Sequence, residues 1–137
     1  MSPCEERTNW RDENISRRHR EWGIRCRAID LDFLLIEYDK KEPKALIEYK
    51  NEYAPPQVAS KAQYQALIKL GDSAKIPVIA CRYKTDFSSF LVVPLNNFAK
   101  KVVPRRVELT EAEYVKLLYK MRGLNVPQNV LAELRSA

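Results

Sequence analysis

A chain of 137 residues with 45% hydrophobic side chains is long enough for one compact domain with a real core. Its formal net charge of +6 favours polyanionic partners, nucleic acid first, and no apolar run is long enough to span a bilayer, which argues against a membrane partner. Cys4, Cys26 and Cys81 fit neither a disulfide framework nor a zinc-ligand spacing, and the single histidine, His19, argues against a histidine metal site or a catalytic triad. With no charged leader ahead of an apolar core, the expected location is the cytoplasm.

The stretch from Cys4 to Trp22 is charged, with sparse apolar positions at Trp10, Ile15 and Trp22. It reads as a surface helix stopped by Gly23. Its last turns hold Arg17, Arg18, His19 and Arg20, where cations complement the helix dipole, and Arg25 and Arg27 extend the basic cluster. These six residues are candidate contacts to nucleic-acid phosphates, although a solvated helix end has the same composition.

From Ile24 to Lys50 the pattern turns to strands. CRAIDLDFLLIEY is apolar and β-branched, EYDKKEPKA reads as a hairpin turn, and ALIEYK follows as a strand. NEYAPPQVAS, with two prolines, is a loop. Ser60 then opens a helix closed by Gly71, with an apolar face of Ala59, Ala66, Leu67 and Leu70 and with Gln63 near its start. IPVIACRY reads as a buried strand, and FSSFLVVPL as another strand paired with it through a turn around Thr85 and Asp86. Lys100, Lys101, Arg105 and Arg106 form a second basic cluster. A last helix, about residues 110–122, has a Thr110–Glu113 capping box, a Tyr114, Leu117, Leu118 and Met121 stripe, and Gly123 as its stop. The order α, three strands, α, two strands, α predicts one α/β domain.

Residues two apart on a strand face the same way, so Glu48 and Lys50 share a face opposite Ile47 and Tyr49. Asp30 and Asp32 share a face in the preceding strand. If the strands around Asp32 and Glu48 are hairpin partners, acids and lysine converge at one end of the sheet. Oxygen-rich carboxylates suit Mg²⁺, which stabilises phosphate charge and acidifies water, while a neighbouring lysine orients or deprotonates that water. The pair Glu48–Lys50 taken alone is a surface ion pair of little stabilising value.

Asp32 ahead of FLLIEY, followed one hairpin later by Glu48-Tyr49-Lys50, resembles the signature of the PD-(D/E)XK nuclease superfamily. The resemblance covers about residues 5 to 95 and implies a restriction-endonuclease-like αβββαβ core: a central mixed sheet flanked by helices, here with an extra C-terminal helix. It implies Asp32 and Glu48 as metal ligands, joined by the Tyr49 backbone carbonyl, with Lys50 as the catalytic lysine and Mg²⁺ (Mn²⁺ substituting) as the cofactor. Asp30 is an alternative or additional ligand, Gln63 matches a glutamine that one branch carries after the lysine strand, and Glu6, Glu13 or Glu21 corresponds to a variable first-helix acid. Leu31 stands where the family motif has proline. The implied activity is a Mg²⁺-dependent endonuclease, acting on DNA rather than RNA. Small members of the superfamily serve DNA repair, recombination, restriction or phage replication, and its junction resolvases are basic homodimers. The alternative is an inactive nucleic-acid-binding module or interaction subunit of the same fold.

Overall fold

The computed structural model describes residues 13–23, 31, 33–55 and 61–136. The chain forms two compact units, residues 1–30 and 31–137. In the first, helix α1 spans Glu13–Glu21 and gives way at Gly23, whose φ of +100° is costly for any residue with a Cβ. The expected helix start (residues 4–12) lies outside the described residues, as does the beginning of the expected strand stretch, residues 24–30, with Cys26.

The second unit runs β1 (Phe33–Glu37), β2 (Glu42–Asn51), α2 (Ala62–Ala74), β3 (Val78–Tyr83), β4 (Phe90–Pro94), α3 (Asn97–Lys100), β5 (Val107–Leu109), α4 (Glu111–Met121) and α5 (Gln128–Ser136). The strands form one five-stranded mixed sheet in the order β1-β2-β3-β4-β5. Every pairing is antiparallel except β2 with β3, which are parallel and connected through α2. The expected α/β class and mixed sheet are therefore present. Among the described residues no helix is long and apolar enough to cross a membrane.

Alternation divides the sheet into two faces. Ile47, Ile79, Cys81, Phe90 and Val92 point to one side, where Ala99, Val103, Tyr114 and Leu117 pack on them to make the core. Cys81 is a small buried hydrophobe there, 1% exposed, as its apolar strand implies. Leu118 and Met121 pack against the same core, so the predicted stripe of α4 is a core face. The capping box is formed: Thr110 Oγ1 accepts from the Glu113 N–H at 3.2 Å, and Glu113 Oε1 accepts from the Thr110 N–H at 2.9 Å. Gly123, at φ +80°, follows α4, with the Leu124 N–H donating back to the Tyr119 carbonyl at 2.9 Å.

Helix α2 departs from its sequence reading in two ways. Gly71 does not stop it: the helix continues to Ala74, and Lys75 adopts the left-handed conformation at φ 59°. Lys75 N–H donates to Asp72 O at 3.2 Å and Ile76 N–H to Gly71 O at 2.9 Å, the paired bonds of a Schellman ending. Gly71 instead lets the helix settle on β3, because a Cβ there would lie 2.1 Å from Val78 Cγ2. The buried face is also rotated from the expected one. Tyr64, Leu67 and Gly71 face the sheet, whereas Ala66 and Leu70 are exposed and Ala59 lies outside the described residues. The aromatic Tyr64 offers more apolar area to bury than Ala66, so packing selects its face.

Asn96 locks this junction. Its buried side chain caps α3 by accepting from the Ala99 N–H (2.9 Å) and accepts from the Val78 N–H (3.0 Å), while its amide donates to Ile76 O (2.9 Å) and Asp72 Oδ1 (3.1 Å). Helix end, strand start and the next helix are tied by one side chain whose hydrogen-bonding groups are all engaged.

Candidate functional site

Strand β2 is buried where the sheet is crowded and opens towards its C-terminal end. Ala45, Leu46 and Ile47 are buried, and Glu48 through Asn51 are half-buried. The described ladder to β1 ends at the Phe33–Ile47 pair, while that to β3 continues to Asn51–Tyr83. Glu48 and Lys50 therefore stand at the end of a strand held firmly on its β3 side.

The two side chains share the face opposite Ile47 and Tyr49, as alternation requires. Lys50 Nζ lies 3.3 Å from Glu48 Oε1, with the carboxylate side chain 14% and the lysine 34% exposed. Across the parallel ladder Glu48 sits beside Ala80, and Lys50 beside Arg82. The pair borders a groove of about 340 Å³ on the face that α2 only partly covers. Ala80, Leu91, Val93 and Leu95 pave it, Tyr64 borders it, and Arg82 and Arg106 add cations.

Arg82, which the sequence reading did not single out, has a distinct task. Its Nη1 donates to the carbonyls of Asn51 (3.1 Å), Glu52 (3.4 Å) and Ala54 (2.8 Å), and its Nη2 to Pro55 O at 3.2 Å. These groups would otherwise leave β2 as a loose end. Glu52 Oε2 also accepts from the Thr85 N–H at 2.8 Å, bracing the same loop against the β3–β4 turn. The planar five-donor guanidinium suits this carbonyl cluster as an ammonium would not. The strand pattern gave Arg82 no distinguishing signal, because its partners are backbone oxygens from a loop.

On the opposite face, Tyr49 is clasped by aromatic rings. It meets Phe33, Tyr83 and Tyr114 edge-on, and its hydroxyl is 2.5 Å from that of Tyr114. Burial pushes the Tyr49 phenol up to about 12 and the Cys81 thiol up to about 11; burial, with Tyr49 beside it, raises Tyr114 further. These groups are neutral core polar atoms at ordinary pH.

The other expected site residues are distributed as follows. Gln63 is exposed in the first turn of α2, one position before the buried Tyr64. Asp30, Asp32, Arg25 and Arg27 lie outside the described residues, as does Glu6. Leu31 and Phe33, the chain neighbours of Asp32, line a small hollow together with Glu48. In the first unit Arg17 and Arg18 are exposed, Arg18 is 3.5 Å from Glu21, and His19 meets Trp22 edge-on. Arg20 lies within α1. In the second basic cluster, Lys101 lies over the Phe98 ring and Arg106 joins the groove. Among the described residues no three His, Cys, Asp or Glu side chains converge on one point. Comparisons with protein-family models, curated proteins and solved structures found no match to this chain.

Proposed function

We propose that the protein is a Mg²⁺-dependent nuclease that hydrolyses phosphodiester bonds in DNA, with a restriction-endonuclease-like core. The observation that carries the reading is the Glu48–Lys50 pair, 3.3 Å apart on one face at the open end of β2 and bordering a groove with two further cations. The succession of hairpin β1–β2, helix α2 and parallel strand β3 supports it, because it is the order the PD-(D/E)XK resemblance implies.

Glu48 offers a partly shielded carboxylate, and with Asp32 and the Tyr49 carbonyl the donor set is all oxygen, which fits a hard cation such as Mg²⁺ or Mn²⁺. Such an ion, when bound, supplies Lewis-acid stabilisation of the phosphate and a more acidic water. Glu48 holds one side of that position. Lys50 Nζ, drawn towards the carboxylate, orients the attacking water and carries positive charge next to the scissile phosphate. Arg82 keeps the end of β2 in place through the loop carbonyls.

The test is a cleavage panel with Mg²⁺ on plasmid, single-stranded, branched and RNA substrates, comparing wild type with Asp32→Ala, Glu48→Ala and Lys50→Ala. Wild type alone should cut, and DNA should be preferred. Equal cutting by wild type and Lys50→Ala overturns the mechanism. Metal titration that shows no Mg²⁺ or Mn²⁺ binding sensitive to Glu48→Ala leaves only a nucleic-acid-binding module.

A further inference from the structure

The groove beside Glu48 and Lys50 combines two chemistries. Leu91 and Val93 on β4, with Leu95 just after it, give it an apolar floor of half-buried side chains. Its cations are Lys50, Arg82 and Arg106, against the single carboxylate of Glu48. Lys50 is paired with Glu48, and Arg82 is engaged by four backbone carbonyls. Arg106 differs: it is exposed, lies on the segment between α3 and β5, and makes no ion pair among the described residues.

From this we infer that the groove takes one unpaired nucleotide of a DNA strand, its base on the Leu91–Val93–Leu95 floor and its phosphate on Arg106. The inference rests on the nucleic-acid reading above and names the form of substrate. An apolar floor is complementary to a base face, which is hidden in a stacked duplex and available only in an unpaired strand. A volume of about 340 Å³ is that of a single small-ligand site, with room for one nucleotide. An exposed guanidinium with no ion pair among the described residues is suited to bidentate engagement of a phosphate. Single-stranded DNA, or an unpaired position in branched DNA, is accordingly the preferred ligand.

Binding of labelled oligonucleotides, read by fluorescence anisotropy with divalent metal chelated, tests this without requiring cleavage. Single-stranded DNA should bind about tenfold or more tightly than a duplex of the same sequence, as burial of an exposed base face on the aliphatic floor requires. Arg106→Ala should weaken the single-strand complex about tenfold, the loss expected for a charge-assisted hydrogen bond. It should also reduce the slope of log affinity against log salt by about 0.7, the share of one phosphate contact. Arg106 is exposed, so the variant should melt as wild type does. Leu91→Ala should weaken single-strand binding while leaving the salt slope unchanged, because it trims the floor and no charge. Equal or tighter binding of duplex, tighter binding of RNA of the same sequence, or an Arg106→Ala variant that binds as wild type each overturns the assignment. The two readings fail separately. Binding with these preferences but no Mg²⁺-dependent cutting removes the hydrolytic activity alone, and Lys50-dependent cutting without them removes the groove assignment alone.

Discussion

The hydroxyls of Tyr49 and Tyr114 share a 2.5 Å hydrogen bond directly behind the strand segment that presents Glu48 and Lys50 on its other face. One side chain of α4 thereby fixes the position of the residue between the two charged ones. Because Tyr49 titrates near 12 in the folded protein against about 10 in the unfolded chain, its contribution to stability is complete below pH 10. Above that, the unfolded state loses a proton that the folded state keeps, so stability falls as pH rises towards 12, by about 1.4 kcal/mol per pH unit. Tyr114, shifted in the same direction, steepens the decline. Urea unfolding followed across alkaline pH should show this, and Tyr49→Phe should flatten it.

Glu48 and Lys50 should separate activity from stability. Lys50 is 34% exposed and Glu48 14%, between a surface and a buried pair, so Lys50→Met should cost about 1–2 kcal/mol and lower the melting temperature only modestly. Its cleavage rate should fall about a hundredfold or more, the scale of a lost general acid–base or orienting group. A rate unchanged beside a modestly lowered melting temperature would count against the proposed role.

The end of α2 supports a pair of opposed substitutions. Gly71→Ala improves helix propensity by about 1 kcal/mol but drives a methyl into Val78, which is 1% exposed and has nowhere to move; over-packing of about 1–3 kcal/mol should prevail and lower the melting temperature. Lys75→Gly, at φ 59°, removes a left-handed strain of about 1 kcal/mol and should raise it. Thermal melts of the two variants should move in opposite directions.

Asn96→Asp should be among the most damaging single-atom-scale changes in the protein. It replaces a donor that faces Ile76 O at 2.9 Å and Asp72 Oδ1 at 3.1 Å with an acceptor, at a position 5% exposed. The cost should reach about 3 kcal/mol, easing at low pH where the introduced carboxyl is protonated and can donate again. Denaturant titration at neutral and acid pH measures it.

Arg82→Ala should free the carbonyls of Asn51 to Pro55 and cost about 1.5–3 kcal/mol, the value of charged hydrogen bonds partly replaced by water. Limited proteolysis should then cut first within residues 51–55. Cleavage activity should fall as well, because the end of β2 loses its anchor.

Periodicity and end signals were strong where elements are long and amphipathic. Alternation placed Glu48 and Lys50 on one face, and Thr110, Glu113 and Gly123 delimited α4, because those features act locally. Gly71 misled for a tertiary reason: a glycine that admits Val78 looks, in sequence, like one that ends a helix. The buried face of α2 was misassigned because Tyr64 competes with Ala66 only once a sheet is there to pack on. The three residues of β5 and four of α3 are too short for periodicity to register, and α3 depends on the Asn96 cap. Helix α5 has a legible beginning in Pro127 and a helical Val130–Leu134 spacing, signals as local as those of α4. Arg82 and Arg106 join the candidate site through strand order and loop placement, which neighbours in sequence do not encode.

The parallel β2–β3 seam has a consequence for how the protein reaches its working state. The β1–β2 and β3–β4 hairpins are local antiparallel pairings that close quickly, and β5 joins the second piece across α3. Glu48 and Lys50 belong to the first piece, and Arg82 and the groove floor belong to the second. The site therefore exists only after the slower, non-local zipping of one piece onto the other. If the proposed nuclease reading holds, recovery of cleavage during refolding would lag the recovery of secondary structure, making activity a clock for closure of that single seam.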